Sequence, residues 1–299
     1  MSELNKKVEQ AIKLLRLAGA EASERERERE RENESISYDI PNNVVEIAYS
    51  GGKDSDVILR LAQMAGINHV PVYKMTTVDP AGTIQHAREV GATVIKPQKT
   101  FFQVIEDEGF PTSFSRKCCS YLKEYKVNDV AVQGIRRCES RSREENYKEP
   151  TICRIYGSKE NHVNVFLPIL EWTDDDVKEF VEQENVQCHP LYYDENGRFH
   201  PECRLGCYAC PLKSRKQQIA DFKAKPKFVR AWIKAGIVWW NKPHTKRWKS
   251  GEKFGNIYNT FFSNVFCDSY EEFLYKTTGL FGDLDTKAWM EDYFQVDLP

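Results

Sequence analysis

Long apolar runs are absent from this 299-residue chain, and none approaches the length of a membrane-spanning helix, so a helical membrane protein is excluded. The N-terminal stretch MSELNKKVEQAIKLLRLAGAEASE interrupts its apolar residues with charges. That pattern excludes a secretory signal and predicts a cytoplasmic protein with no membrane partner. There is no internal repeat. Neither GxGxxG nor GxxxxGK followed by Ser or Thr occurs, which removes two common glycine-rich phosphate loops. What remains is ordinary for a globular chain able to bury a full core: 40% hydrophobic residues, 29% charged residues and a net charge of −2.

Cysteine, by contrast, is plentiful, with nine residues. Without an export signal they point to metal or cluster binding rather than to disulfides. Cys118 and Cys119 are adjacent in SRKCCSYLK; Cys207 and Cys210 form a C-x2-C pair in LGCYACPL after a gap of 87 residues. One such pair can hold an edge of a metal or cluster, and two pairs complete four-sulfur ligation. Adjacent cysteines are unusual zinc co-ligands, which favours iron–sulfur. Cys203 and Cys188 are alternates for one tandem member, and a zinc site from Cys188, Cys203, Cys207 and Cys210 is the competing assignment. Cys138, Cys153 and Cys267 lack partners at ligand spacing and are expected to pack as small apolar residues.

The order of elements predicts an α/β fold. Residues 3–18 read as an amphipathic helix with Leu4, Val8, Ala11, Ile12 and Leu15 on one side. Strict Glu–Arg alternation from Glu24 to Glu32 sets like charges at i,i+4 against opposite charges at i,i+3, so an exposed linker or loosely helical connector is expected. VVEIAY, HVPVYKMTT, ATVIKP and DVAVQGI read as strands, with helices over VILRLAQMAG and AGTIQHAREVG between them. This alternation predicts a mostly parallel sheet with helices on both faces. A further helix starts at Thr173, followed by three acidic residues. Five of the six Trp lie beyond residue 230, which predicts a helical, aromatic-rich C-terminal extension. The expected domains are 1–39, an N-terminal helix and linker; 40–215, a nucleotide-binding domain with the cysteines; and 216–299, the extension.

Three stretches carry chemistry. In SGGKDS, Gly51 and Gly52 let backbone N–H groups approach an anion, Ser50 and Ser55 add hydroxyls, Lys53 adds charge, and a helix N-terminus follows. In GIRRCESRSRE, Arg136, Arg137, Arg141 and Arg143 crowd together after a strand ending near Gly134, and the planar guanidinium fork suits phosphate or sulfate. Between Pro211 and Lys253 there are 13 Lys and Arg against 2 Asp and Glu, interleaved with Trp and Phe. The first reading of that stretch is a helical extension whose aromatics pack inward and whose lysines stay solvated. The second is a surface for single-stranded nucleic acid, tRNA or DNA.

In order, SGGKDS, TTVDP, RKCCSYLK, GIRRCESRSR, LPILEWTDDDV, LYYDENGR and RLGCYACP resemble the phosphoadenosine phosphosulfate (PAPS) reductase family over roughly residues 40–235, especially a divergent bacterial and phage-type branch. The loop itself resembles the pyrophosphate loop (PP-loop) of the adenine-nucleotide alpha-hydrolase superfamily. The cysteine pattern is similar to the 4Fe-4S motif of the cluster-containing adenylylsulfate reductases. The resemblance implies an adenine-nucleotide alpha-hydrolase-like fold and an enzyme binding ATP or PAPS/APS. Ser50, Gly51, Gly52, Lys53, Asp54, Ser55, Thr77, Asp79, Gly134, Arg136 and Arg143 would lie at the nucleotide, with Lys53 and Asp54 catalytic. Glu139 would organise the arginines, with spacing leaving Arg141 or Arg143 as the downstream match. Mg2+ would use Asp54 or Asp79. Cys118, Cys119, Cys207 and Cys210 would hold the cluster. A sulfur or electron donor protein is an implied partner, and a homo-oligomer is left open. One departure matters: sulfite-forming relatives carry a nucleophilic cysteine in a C-terminal ECGxH-like motif, whereas this chain ends EDYFQVDLP. Cys267 has an acidic flank that disfavours a thiolate. The intact loop and the missing nucleophile together favour ATP cleavage at the α-phosphate, with a sulfonucleotide reductase using an external thiol, or a nucleic-acid-binding component of a sulfur-modification system, as alternatives.

Overall fold

A computed structural model describes residues 2–32, 43–157, 161–243, 253–279 and 282–299. Part of the expected linker (33–39) and part of the basic stretch (244–252) lie outside the described residues. The chain forms two compact units. Unit 1 comprises residues 1–75, 79–96 and 124–206; unit 2 comprises 76–78, 97–123 and 207–299.

Unit 1 is built on a six-stranded sheet in the order β3-β2-β1-β4-β6-β5. Its strands are β1 (Val45–Tyr49), β2 (His69–Lys74), β3 (Thr93–Ile95), β4 (Val130–Val132), β5 (Thr151–Ile155) and β6 (His162–Phe166). All neighbours run parallel except β5, which is antiparallel to β6. The β5–β6 pair is additional to the strands expected from sequence. Because β2 and β4 flank β1 on opposite sides, the strand order reverses at β1, and the chain leaves β1 and β4 at adjacent carboxyl ends. In open α/β sheets such a switch point opens a crevice for ligands.

Val45, Ile47 and Tyr49 alternate onto one face of β1 and meet the helices α1 (Glu3–Glu32), α2 (Lys53–Ala65) and α7 (Asp174–Gln183) in one core cluster. Helix α2 ends on Gly66, whose left-handed φ of 67° closes it. Helix α7 starts with a capping box between Thr173 and Asp176, and the short helices α3 (Thr83–Glu89) and α6 (Arg141–Asn146) also belong to this unit. Of the two expectations for the Glu–Arg alternation, the helical one holds: helix α1 continues through it to Glu32. Its buried stripe Leu4, Ala11, Leu15, Ala18 and Ala22 extends past the predicted end, and Arg25 pairs with Glu21 at 3.1 Å. Tertiary burial thus supplies the stability that the balanced charge pairs do not.

Unit 2 is helical. It contains α4 (Phe101–Glu108), α5 (Lys117–Leu122), α8 (Arg215–Ala224), α9 (Pro226–Asn241), α10 (Ile257–Phe266), α11 (Tyr270–Thr277) and α12 (Thr286–Phe294). Its core is aromatic: Phe222 lies 5.3 Å from Trp232 and 5.4 Å from Phe261 between ring centroids, and Phe110 packs on both Trp232 and Phe261. Phe222, Trp232 and Trp239 are buried, so these aromatics of the basic stretch face inward, as the first reading held. Among the described residues no helix is long and apolar enough to cross a membrane.

Candidate functional site

The loop Ser50–Gly52 joins the carboxyl end of β1 to the first turn of α2. Gly51 takes φ +75°, and a Cβ there would sit 2.7 Å from Thr83 Cγ2, so only glycine fits. Gly52 caps α2 without a side-chain hydrogen bond, which leaves the helix end to backbone groups. Ser55 Oγ donates to Gly52 O at 2.6 Å, and Ser50 Oγ lies 3.3 Å from Ser55 Oγ, fixing both hydroxyls on the loop.

Lys53 is only 3% exposed, and its Nζ reaches Asp54 Oδ2 at 3.2 Å. The other carboxylate oxygen of Asp54 accepts from Arg136 Nε at 2.7 Å. Arg136 itself is enclosed: Nη2 donates to Asp174 Oδ1 at 2.8 Å and Nη1 to Cys138 Sγ at 3.2 Å. Its burial opposes the charge, but Asp54 and Asp174 outweigh it and hold the guanidinium firmly protonated. Arg136 therefore meets carboxylates, and through Asp54 it ties the end of β4 to the loop. Arg143 forms an ion pair with Glu139, and burial pushes its pKa down. Arg141, near Glu145 at 3.9 Å, is almost fully exposed. Gly134 lies where a Cβ would meet Asp54 O at 2.8 Å; its lack of a side chain lets β4 and α2 close together.

Behind the loop lies a polar network whose members, Cys188 apart, were not singled out from sequence. Asp56 Oδ1 takes a hydrogen bond from Tyr49 and pairs with His86 Nε2 at 3.0 Å. Burial raises the Asp56 pKa against the pull of His86. For His86 burial acts downward, but the hydrogen bond and charge of Asp56 prevail and raise it. The Cys188 thiol sits beside Asp56, pushed up by burial first and by that carboxylate second. Tyr192, in a 3-10 turn at Pro190–Tyr192, was also missed. Its hydroxyl accepts from Leu205 N at 3.2 Å and from the Lys53 backbone, its ring centroid lies 5.7 Å from Lys53 Nζ, and burial pushes its phenol up to about 12. The motif LYYDENGR was the available signal, with nothing to choose between its two tyrosines.

In unit 2, Thr77 adopts φ 65° and its hydroxyl accepts from Phe101 N at 2.9 Å, serving the start of α4. Asp79, in unit 1, is half-buried. Cys118, Cys119, Cys207 and Cys210 all belong to unit 2. Cys118 is pushed far up by a hydrogen bond with Cys119, then by burial and by the nearby Cys119, Cys210 and Cys207 sulfurs. Four thiols whose thiolate forms would repel one another are the donor set a cationic metal or cluster relieves, and in that respect they fit a four-sulfur site. Among the described residues, though, no group of three or more His, Cys, Asp or Glu stands at metal-holding spacing. Cys188 and Cys203 belong to the unit 1 core. Of the three cysteines expected to be packed, only Cys267 is; Cys138 and Cys153 are exposed. Cys138 donates to Trp172 O at 3.2 Å at the surface, and Cys153 faces outward on strand β5, which sits at the sheet edge.

Residues 44–213 match the family model of the phosphoadenosine phosphosulfate reductase domain. Two uncharacterized proteins of Methanocaldococcus jannaschii are similar. One is 30% identical over 206 residues, covering 64% of this chain and 47% of the relative. The other is 26% identical over 216 residues, covering 66% and 42%. The chain thus spans less than half the length of these curated relatives. Among solved structures, it is similar to phosphoadenylyl-sulfate reductase from Candida auris in a phosphate complex, with TM-score 0.39, 15% identity and coverage of 70% of this chain and 96% of that one. It is also similar to the U34-tRNA thiolase of Methanococcus maripaludis with its 4Fe-4S cluster, with TM-score 0.36, 12% identity and 79% of each chain covered. Likenesses this distant carry no argument about function.

Proposed function

The chain belongs to the phosphoadenosine phosphosulfate reductase domain family, and on that premise we propose that it is a PP-loop enzyme that binds ATP and cleaves it at the α-phosphate. The observation that carries this reading is the intact SGGKDS loop at the β1/β4 switch point, with Lys53 buried in it and Asp54 held between Lys53 and Arg136. In the proposed step an acceptor oxygen attacks the α-phosphorus, the bond to the β-bridging oxygen breaks, and pyrophosphate leaves with that electron pair. The acceptor proton passes to solvent. Lys53, the Ser50 and Ser55 hydroxyls and the N-terminal end of α2 would take up charge on the departing pyrophosphate. Arg136 and Gly134 act by fixing Asp54. Mg2+, with Asp54 or Asp79 as its ligand, would offset the phosphate charge.

Cys118, Cys119, Cys207 and Cys210 would hold an iron–sulfur cluster, which when bound supplies sulfur-binding or electron-transfer chemistry; zinc is the alternative occupant. Cys267 is 8% exposed and its thiol is pushed up, first by burial, which supports the reading against a thiol-based release of sulfite.

The reading is tested by following pyrophosphate release from ATP and sulfite release from PAPS on anaerobically purified protein. Pyrophosphate release that is lost in Lys53→Ala supports it; sulfite release with an added thiol replaces it with a sulfonucleotide reductase. Iron, sulfide and zinc analysis of the same sample decides the metal, and a colourless protein with one zinc removes the cluster.

A further inference from the structure

Unit 2 holds a cavity of about 520 Å³ to which no residue of the nucleotide loop contributes. Its volume lies in the range of about 300–1,000 Å³ typical of small-ligand sites. Three cationic side chains, Lys213, Arg215 and Lys253, line it against one carboxylate, Asp268. Two helix N-termini also open onto it: Arg215 is the first residue of α8, and Ser269 caps α11. Backbone N–H groups at helix starts favour anions, so the α8 end acts in the same direction as the cations, whereas Glu271 and Glu272 in the first turn of α11 offset the other. Arg215 is held by Asp268, and Lys213 by Asp221 at 2.7 Å, which fixes their positions. The Lys253 ammonium stands 4.2 Å from the Tyr270 ring centroid.

The walls add aromatic faces. Phe254 and Tyr270 line one side, and Phe114 stands at the rim with its side chain fully exposed. A phenylalanine wholly in water, beside a cationic cavity and followed by Arg116 and Lys117, has no packing role. It offers a π-face to a flat partner. Asn264 supplies an amide donor and acceptor for a base edge. Exposed Arg116, Lys117 and Lys216 add positive charge outside the cavity. Positive charge beyond a one-residue cavity suits a polymer rather than a free nucleotide.

We propose that unit 2 binds single-stranded nucleic acid and that this cavity seats one nucleotide of the strand. The base lies against Phe114, and the phosphate faces Lys213, Arg215 and Lys253. Pairing in a duplex would hide the base face that Phe114 needs, so single strands are the favoured partner. Pro211, directly after Cys210, also lines the cavity, so the seated nucleotide borders the cysteine segment. The inference stands on unit 2 alone and is independent of the reaction proposed for the loop.

The test is fluorescence anisotropy with labelled 12-residue oligouridylate, oligothymidylate and a duplex of the same length, from low to moderate salt. Single strands should bind in preference to duplex, with log K falling linearly in log salt. Lys253→Ala should reduce that slope by about 0.7, the value of one phosphate contact on a single strand. Phe114→Ala should weaken binding about tenfold with the slope and thermal midpoint unchanged, since its side chain packs on nothing. Lys53→Ala should lose ATP binding and keep strand binding, which separates this site from the loop. Preference between the uridylate and thymidylate strands identifies RNA or DNA as the source. Equal binding of duplex, equal displacement by polyglutamate, or wild-type affinity in both Phe114→Ala and Lys253→Ala overturns the proposal.

Discussion

Unit 1 buries Glu46, Lys53, Asp56, His86, Asp129 and Arg136, whereas the described residues of unit 2 bury no charged side chain and fill their core with Phe222, Trp232, Phe261 and Phe294. The buried polar groups of unit 2 are neutral, as with Gln218, whose amide donates to Ala209 O at 3.0 Å. Desolvating charge is costly and is tolerated where each charge meets a partner. In unit 1 it does: Glu46, raised by burial, is answered by Lys74 at 3.3 Å, and Asp54 by both Lys53 and Arg136. Such clusters are characteristic of sites that handle charge, and aromatic packing is characteristic of a scaffold. The comparison therefore places buried charge in the sheet unit and apolar burial in the helical one.

Truncation of the aromatic core gives the largest expected effect. Trp232→Ala should destabilise the protein by about 3–5 kcal/mol in urea unfolding, because Phe101, Phe110, Phe222 and Phe261 all pack on that ring. A loss under about 1 kcal/mol would show that unit 2 does not depend on its rings. Arg136→Ala should cost about 2–3 kcal/mol, less than a wholly buried pair because Asp174 is half exposed, and should weaken ATP binding at least about tenfold by releasing Asp54. Calorimetric titration with ATP reads the second effect, and unchanged affinity would detach Arg136 from the loop.

Gly134→Ala should cost about 1–3 kcal/mol, since its methyl group meets the Asp54 carbonyl at 2.8 Å and one of the two segments must move. Thermal unfolding measures it. The smallest effect is pH-dependent. The folded pKa of His86 lies above its unfolded value of about 6.5, so the Asp56–His86 pair contributes fully below that pH and is lost as pH rises through the folded value. His86→Gln should flatten the fall in stability that sets in as pH rises above about 6.5. Equal pH profiles in wild type and variant would show that the buried pair is not ionised.

Much of the framework was legible because local pattern and tertiary role agree. β1 and β2 are short β-rich apolar runs with buried centres, α2 carries its burial in its helical periodicity, and α7 announces its start with Thr173 and Asp176. The β5–β6 hairpin was not legible: TICRI and HVNVF are short, and β5 alternates between exposed and half-buried positions at the sheet edge. The extent of α1 was hidden because its charge pairs cancel locally and its stability comes from contacts with α2, α7 and the sheet. Within the site, the sequence marked Arg136 as a cation near phosphate but carried no sign that Asp54 and Asp174 occupy it. Tyr192 and His86 reach the loop from distant segments, so no spacing rule could join them.

The sequence by itself determined the family and the α/β alternation, because SGGKDS, the arginine stretch and the cysteine pairs are local patterns set by backbone and side-chain chemistry. Only the tertiary structure decided which charges face one another, which aromatics are core and which stand free. Trp232 and Phe114 are both aromatic residues in basic surroundings, yet one is buried at 2% exposure and the other fully open. That difference arises from packing between segments far apart in the chain, which local composition does not encode.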